Sequence, residues 1–367
     1  MPPRFADATL PSRRLHIVTP ETLRGFLESL PEASRNWLEQ SRFEAGLGEL
    51  CLIPSEAGVG AAVAGLGTAQ ARARLRFGLA KVVAGLPLGA WVLDGELTQS
   101  QRDEIALGWL LAQYRFTRYR SGKTQDFAQL VAPEGCDAAK IEAMVAGEVL
   151  TRDLINTPAA DMGPEELEAA MAALAAEFGA EMTAVRGEDL LAQNFPMIHA
   201  VGRASPRAPR ILDLHWGTSG PRLTLVGKGV CFDTGGLNIK PSNGMNLMKK
   251  DMGGAATVLG LARMIMQLGL PVQLRVIVAA VENVIAGNAL KPKDILTSRK
   301  GLTVEVNDTD AEGRLVLGDA LTLAGEEPCD VLISMATLTG AARVAVGPDL
   351  APYYTDDPAM AQALEAG

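Results

Sequence analysis

Histidine is almost missing from this chain, with only His16, His199 and His215 among 367 residues. That scarcity excludes most histidine-rich metal sites and leaves three candidates for any Ser-His-Asp triad. Cysteine is equally sparse. Cys51, Cys136, Cys231 and Cys329 are widely and irregularly spaced, which fits neither a zinc ribbon nor a disulfide framework and reads as reduced thiols in a cytoplasmic protein. Cations are the minority charge: Lys plus Arg number 34 against 43 Asp plus Glu, a net charge of −9. Phosphate neutralisation needs clustered cations, so nucleic acid is not an expected partner. No apolar run is long enough to span a bilayer, so no membrane partner is expected. The opening MPPRFADATLPSRRLHIV has no apolar core of a secretory signal. What is present, 48% hydrophobic and 21% charged residues, is ordinary globular composition, and this length favours two domains.

The rhythm of the chain is α/β. Arg14–Val18, Cys51–Pro54, Ala61–Leu66 and Ala90–Leu93 read as strands, and Pro20–Ser29, Ala69–Ala84 and Ser100–Tyr119 as helices. The pattern breaks near Pro133, and Asp137–Leu154 reads as a helix bridging two domains. Gly163-Pro164-Glu165-Glu166 opens another helix, with proline in the first turn and acids at the positive end. Strands are expected at Glu181–Val185, Arg210–His215, Arg222–Val226, Gln273–Ala280, Leu302–Val306 and Val331–Met335, with helices at Gly253–Leu268 and Gly313–Ala324. LTLV, LRVIVAAV and VLISM are apolar throughout, as in strands covered by helices on both faces. The expected architecture is a smaller N-terminal α/β domain (1–132), a linker helix region (133–155) and a C-terminal domain (156–367) built on a mainly parallel, helix-covered sheet. Its chemistry should lie at the carboxyl ends of the strands.

Three glycine-rich segments concentrate ionisable groups there: VGKGVCFDTGGLNIKP with Lys228, Asp233 and Lys240, MKKDMGGAA with Asp251, and VNDTDAEGRLVLGDA with Asp308, Asp310, Glu312 and Arg314. Singly, each reads as a charged loop or a helix cap. Together, Asp233, Asp251, Asp310 and Glu312 would repel one another unless cations held them. Such an oxygen-rich set suits Mn²⁺, Mg²⁺ or Zn²⁺, and two ions could activate a hydroxide near neutral pH. A P-loop is excluded because Gly227-Lys228 lacks the required partner glycine and the following Ser or Thr. No G-x-S-x-G elbow occurs. His199 and His215 lie in or beside apolar strand-like segments and read as structural, and Cys231, with no nearby histidine, as a packing residue.

NDTDAEGRL resembles the NTDAEGRL signature of the M17 family of leucyl aminopeptidases, and VGKGVCFDTGGLNIKP, MKKDMGGAA and ATLTGA extend the likeness in register. It is strong from about residue 120 onward and loose before. The resemblance implies a catalytic domain with two divalent metal ions, Mn²⁺ or Zn²⁺, a homohexamer, and release of N-terminal, leucine-like residues from peptides. By motif, Lys228, Asp233, Asp251 and Glu312 would hold one metal, and Asp233, Asp310 and Glu312 the other. Lys240 would be the catalytic lysine, and Arg314 would hold a bicarbonate proton shuttle. Met248, Thr337 and Gly340 would line the pocket for the first side chain, with the backbone of Leu338 contacting substrate. Asp308 stands where the signature has Asn. The family's catalytic domain also continues past the point where this chain stops, so the resemblance implies a truncated domain with an exposed apolar edge. The competing reading is an inactive member serving as a binding or architectural protein. For that, the local basic spots are Ser12–Arg14 and Tyr114–Lys123. A third reading is a nucleotide-binding protein using the Lys228 loop.

Overall fold

The computed structural model describes residues 2–56, 58–121 and 125–366; Gly122 and Lys123 of the basic spot, and Gly367, lie outside them. The N-terminal half is built on a five-stranded sheet of β1 (Ser12–Val18), β2 (Leu50–Ser55), β3 (Gly58–Gly65), β4 (Ala90–Asp94) and β5 (Gln129–Leu130). Their order is β2-β3-β1-β4-β5, with only β2 antiparallel to its neighbour. Leu15, Ile17, Trp91, Trp109, Leu110 and Leu130 fill its core. Two local readings are revised here. The expected helix over Ala69–Ala84 splits into Ala69–Arg74 and a 3-10 stretch, Gly78–Gly85. Phe77 between them takes φ 56°, where its N–H donates to Glu104 at 2.8 Å. The helix expected to reach Tyr119 spans Gln99–Ala112. It starts at a Thr98–Gln101 capping box, and beyond its end Tyr114 Oη donates to Asp153 at 2.8 Å. A further helix, not expected from the sequence pattern, spans Glu32–Gln40.

The helix Ala138–Asn156 joins the halves. Ile141 and Val145, near its start, pack into the N-terminal core, and Leu154, near its end, into the next one. The second sheet contains β6 (Glu181–Arg186), β7 (Arg210–Trp216), β8 (Arg222–Asp233), β9 (Gln273–Asn283) and β12 (Val331–Met335), in the order β12-β8-β9-β7-β6. β8 runs parallel to both β9 and β12, and only β7 opposes the rest. Side chains alternate between two cores. Leu225, Val276 and Val278 face the layer of Pro164–Phe178 and Gly253–Gln267, while Val226, Ile277 and Ala279 face Pro196–Gly202 and Glu312–Ala324. This sandwich places three parallel carboxyl ends, those of β8, β9 and β12, side by side.

Three strand expectations change. The strand expected to end at Val226 continues to Asp233, so Lys228 and Cys231 lie within β8 rather than in a loop. Pairing with β9 up to Asp233↔Asn283 overrides the turn tendency of Gly227 and Gly229. The segment read as Leu302–Val306 is β11 (Thr303–Glu305), paired with β10 (Ile295–Thr297) in a separate two-stranded ribbon. β12 is an edge strand covered on one face only: its burial alternates and Leu332 remains 38% exposed. Beyond it, Val344, Leu350 and Tyr354 are also exposed. Among the described residues, no helix is long and apolar enough to cross a membrane.

Candidate metal centre

Each charged group is delivered by the end of an element. β8 carries Lys228 in its middle and Asp233 as its last residue. The turn Met248–Met252 presents Asp251 immediately before the helix Gly253–Gln267. The turn Thr309–Ala311 presents Asp310, and Glu312 begins the helix that follows. Asp308 caps that turn, its carboxylate accepting from Asp310 N–H at 2.9 Å while remaining exposed. Capping needs only a side-chain oxygen, which either Asp or Asn supplies, and the added charge is left in water.

Two lysines interleave with four carboxylates. Lys228, 2% exposed, lies 2.7 Å from Asp251 and 2.9 Å from Glu312, and donates to the Thr337 carbonyl at 2.9 Å. Lys240 lies 2.9 Å from Asp233 and also pairs with Asp310. Glycine at 313 is a steric condition for this packing, since a Cβ there would come within 2.5 Å of Lys228 Cε. Burial disfavours the Lys228 ammonium, but Glu312 and Asp251 outweigh it and leave its pKa raised. Lys240 behaves likewise: partial burial opposes its charge, and Asp310 and Asp233 more than restore it. Each lysine thus sits between two anions that favour its ammonium form.

Four carboxylates against two ammonium groups leave the cluster two positive charges short. Oxygens of Asp233, Asp310 and Glu312 lie within 4.8 Å of one another. Glu312 Oε2 is buried without a hydrogen-bond partner. Its pKa is pushed up to about 7, first by burial, with Asp233 and Asp251 adding to the shift and Lys228 opposing it. Asp310 is raised for the same leading reason. Close hard oxygens, one of them with neither a hydrogen bond nor an ion pair, and a deficit of positive charge fit a divalent cation.

Thr337 belongs to the charge network: its hydroxyl donates to Asp251 Oδ1 at 2.8 Å while its carbonyl receives Lys228. Met248 begins the Asp251 turn and is half-buried; Leu338 is half-exposed, and Gly340 is exposed before the helix Ala341–Val346. Arg314, in the first turn of its helix, is exposed, and among the described residues its side chain forms no ion pair or hydrogen bond. The histidines stay outside the cluster: His16 pairs with Asp94, His199 with Glu188 and His215 with Asp213. Cys231 is fully buried, and burial pushes its thiol well above its ordinary pKa. Sequence reasoning missed Asn283 and Thr309, both buried, which bond to the carboxylate loops. A polar Glu282-Asn283 pair closing the apolar run LRVIVAAV was the available signal.

Fold and site together define a two-domain α/β protein with a buried, charge-deficient carboxylate–lysine centre. Residues 149–367 match the catalytic domain of the cytosol aminopeptidase family and residues 14–133 the M17 aminopeptidase N-terminal domain. The chain belongs to this M17 family. It is 40% identical over 294 residues to a probable cytosol aminopeptidase of Acaryochloris marina, covering 77% of this chain and 59% of that protein. With peptidase B of Pectobacterium carotovorum it shares 39% over 268 residues, or 70% and 62% of the two chains. The chain thus spans less than two thirds of the length of either. The cytosol aminopeptidase of Coxiella burnetii superposes with TM-score 0.91 at 39% identity, over 98% of this chain and 78% of that one. The bottromycin maturation enzyme BotP in complex with Mn gives TM-score 0.84 at 30% identity, over 97% and 78%.

Proposed function

We propose that the chain is the metal-dependent catalytic portion of an aminopeptidase that removes N-terminal, leucine-like residues from peptides. The observation that carries this reading is the cluster of Asp233, Asp310 and Glu312 oxygens with Glu312 Oε2 unpartnered. The proposed donors are Lys228, Asp233, Asp251 and Glu312 for one divalent ion and Asp233, Asp310 and Glu312 for a second. When bound, Mn²⁺ or Zn²⁺ supplies Lewis acidity and lowers the pKa of water. Lys228 can serve as a ligand only after giving up the proton that it holds between Asp251 and Glu312. Lys240 keeps its proton, and its ammonium stabilises negative charge developing on the scissile carbonyl oxygen. Thr337 fixes the Asp251 carboxylate, and with Met248, Leu338 and Gly340 it is the proposed wall for the first side chain. Arg314, free of protein partners among the described residues, is available to hold bicarbonate, a base that can exchange protons.

The proposed units are 1–132, 133–155 and 156–367, the assembly a homohexamer and the location the cytoplasm. Elemental analysis together with Leu-p-nitroanilide hydrolysis tests the central reading. Expected are bound divalent metal and chelator-sensitive release of p-nitroaniline. A metal-replete preparation inert toward both leucine amides and peptides overturns it.

A further inference from the structure

We propose that Asn283 is a positioning residue that orients Asp233 and ties it to the Asp310 loop, and thereby sets the affinity of the centre for its cation. This rests on the metal reading above. Asn283 is the last residue of β9, 4% exposed, and belongs to none of the charged motifs. Its amide uses both hydrogens inside the site. One goes to Asp233 Oδ1 at 2.8 Å, the other to the Thr309 carbonyl at 3.0 Å. The N–H of Gly235 also donates to Asp233 Oδ1 at 2.8 Å, so that oxygen is saturated and Oδ2 turns toward Lys240, 2.9 Å away. The carboxylate is thereby held in one orientation by two neutral donors that add no charge to the cluster.

The second bond carries the same constraint to the opposite loop. Thr309, wholly buried, donates its hydroxyl to the Gly235 carbonyl at 2.6 Å. Its N–H donates to Asn238 Oδ1 at 2.9 Å, and Asn238 N–H returns a bond to the Thr309 hydroxyl at 2.8 Å. The strand end carrying Asp233, the loop leading to Lys240 and the turn carrying Asp310 therefore meet at Asn283 and Thr309. Gly236, at φ +63°, is the residue that admits this convergence, because a Cβ there would lie 2.9 Å from Asn283 Oδ1 and 3.0 Å from Thr309 Oγ1. Without Asn283, Asp233 could rotate and the Thr309 carbonyl would lose its buried donor, so the oxygens would be less well arranged before an ion arrives. Partners that orient metal ligands characteristically change affinity by about 10–100-fold when removed.

The test is Mn²⁺ titration of the full chain by calorimetry, with circular dichroism and thermal melting of the metal-free forms. Asn283→Ala should weaken Mn²⁺ binding by about 10-fold or more. Asn283→Asp keeps the side-chain shape but replaces donors with acceptors facing Asp233, and should weaken it at least as much. Ser205→Ala removes the 2.6 Å bond to neighbouring Glu282 without touching Asp233, and should leave Mn²⁺ affinity unchanged. Activity lost by Asn283→Ala should return in part at high Mn²⁺, a rescue that a folding defect would not show. Folded Asn283 variants binding Mn²⁺ within two-fold of the parent overturn the positioning role alone. A parent chain that binds no Mn²⁺ overturns the metal reading and this role together.

Discussion

The same domain holds two clusters of charge built on opposite principles. Around the start of β7, beside the carboxyl end of β9, Arg210 pairs with Glu165 at 2.5 Å and Glu168 at 2.6 Å, while Arg207 contacts Glu165 at 3.2 Å, Glu282 at 3.5 Å and also Glu166. Arg186 adds a further pair with Glu168, so three guanidinium groups face four carboxylates through forked hydrogen bonds. In the metal centre, two lysine point charges face four carboxylates, and buried Glu312 Oε2 has neither a hydrogen bond nor an ion pair. The pKa directions separate the two. Arg186, and then Arg210 against the effect of burial, hold Glu168 below the ordinary glutamate value, whereas burial and neighbouring anions lift Glu312 to about 7. A cluster satisfied by its own residues serves the fold. One left short of positive charge is arranged for something added.

The largest contrast should come from ligand deletion. Asp233→Ala or Glu312→Ala should abolish peptide hydrolysis while leaving the fold intact by circular dichroism; full activity in either variant would refute the two-metal assignment. Lys240→Ala should come next, lowering kcat by roughly 10²–10³ with metal content unchanged, as removal of an oxyanion donor does, and Lys240→Arg should recover part of the rate. Lys228→Ala should instead weaken cation binding, so that excess Mn²⁺ restores activity. If Lys240→Ala loses metal and Lys228→Ala keeps it, the two roles are reversed.

In the satisfied cluster the readout changes from activity to stability. Arg210→Ala leaves Glu165 paired only with Arg207 and Glu168 only with Arg186, and should cost about 1–2 kcal/mol in urea unfolding, with Mn²⁺ affinity unaltered. A loss of Mn²⁺ affinity there would show that the clusters are coupled. The smallest effect is in pH. Because the folded pKa of Glu168 lies below its unfolded value, its contribution is present above about pH 4.5 and is lost as pH falls through the folded pKa. Metal-free melts should therefore fall more steeply in acid for the parent than for Glu168→Gln.

The charged residues of the centre were legible because their types are costly anywhere else: Asp233, Asp251, Asp310 and Glu312 stand among glycines at strand ends. Their pairing was not. Nothing along the chain says that Lys228 lies between Asp251 and Glu312 rather than in a loop, since its burial depends on β8 running on beside β9 to Asp233. The partners of Thr337 and Asn283 were likewise not legible, because a threonine or asparagine near a strand end does not announce which neighbour it will bond.

By itself the sequence determined the local periodicities, the α/β class, the helix start at Gly163-Pro164, and the chemical identity of the donors, all of which depend on residues close together in the chain. Tertiary structure decided the rest. The strand order β12-β8-β9-β7-β6 brings Asp251, Asp233, Asn283, Asp310 and Thr337 from five separate segments to one end of the sheet. The physical reason is that charge balance is a property of spatial neighbours: a carboxylate's partner, burial and pKa are set by what packs against it, and only the folded sheet supplies those neighbours.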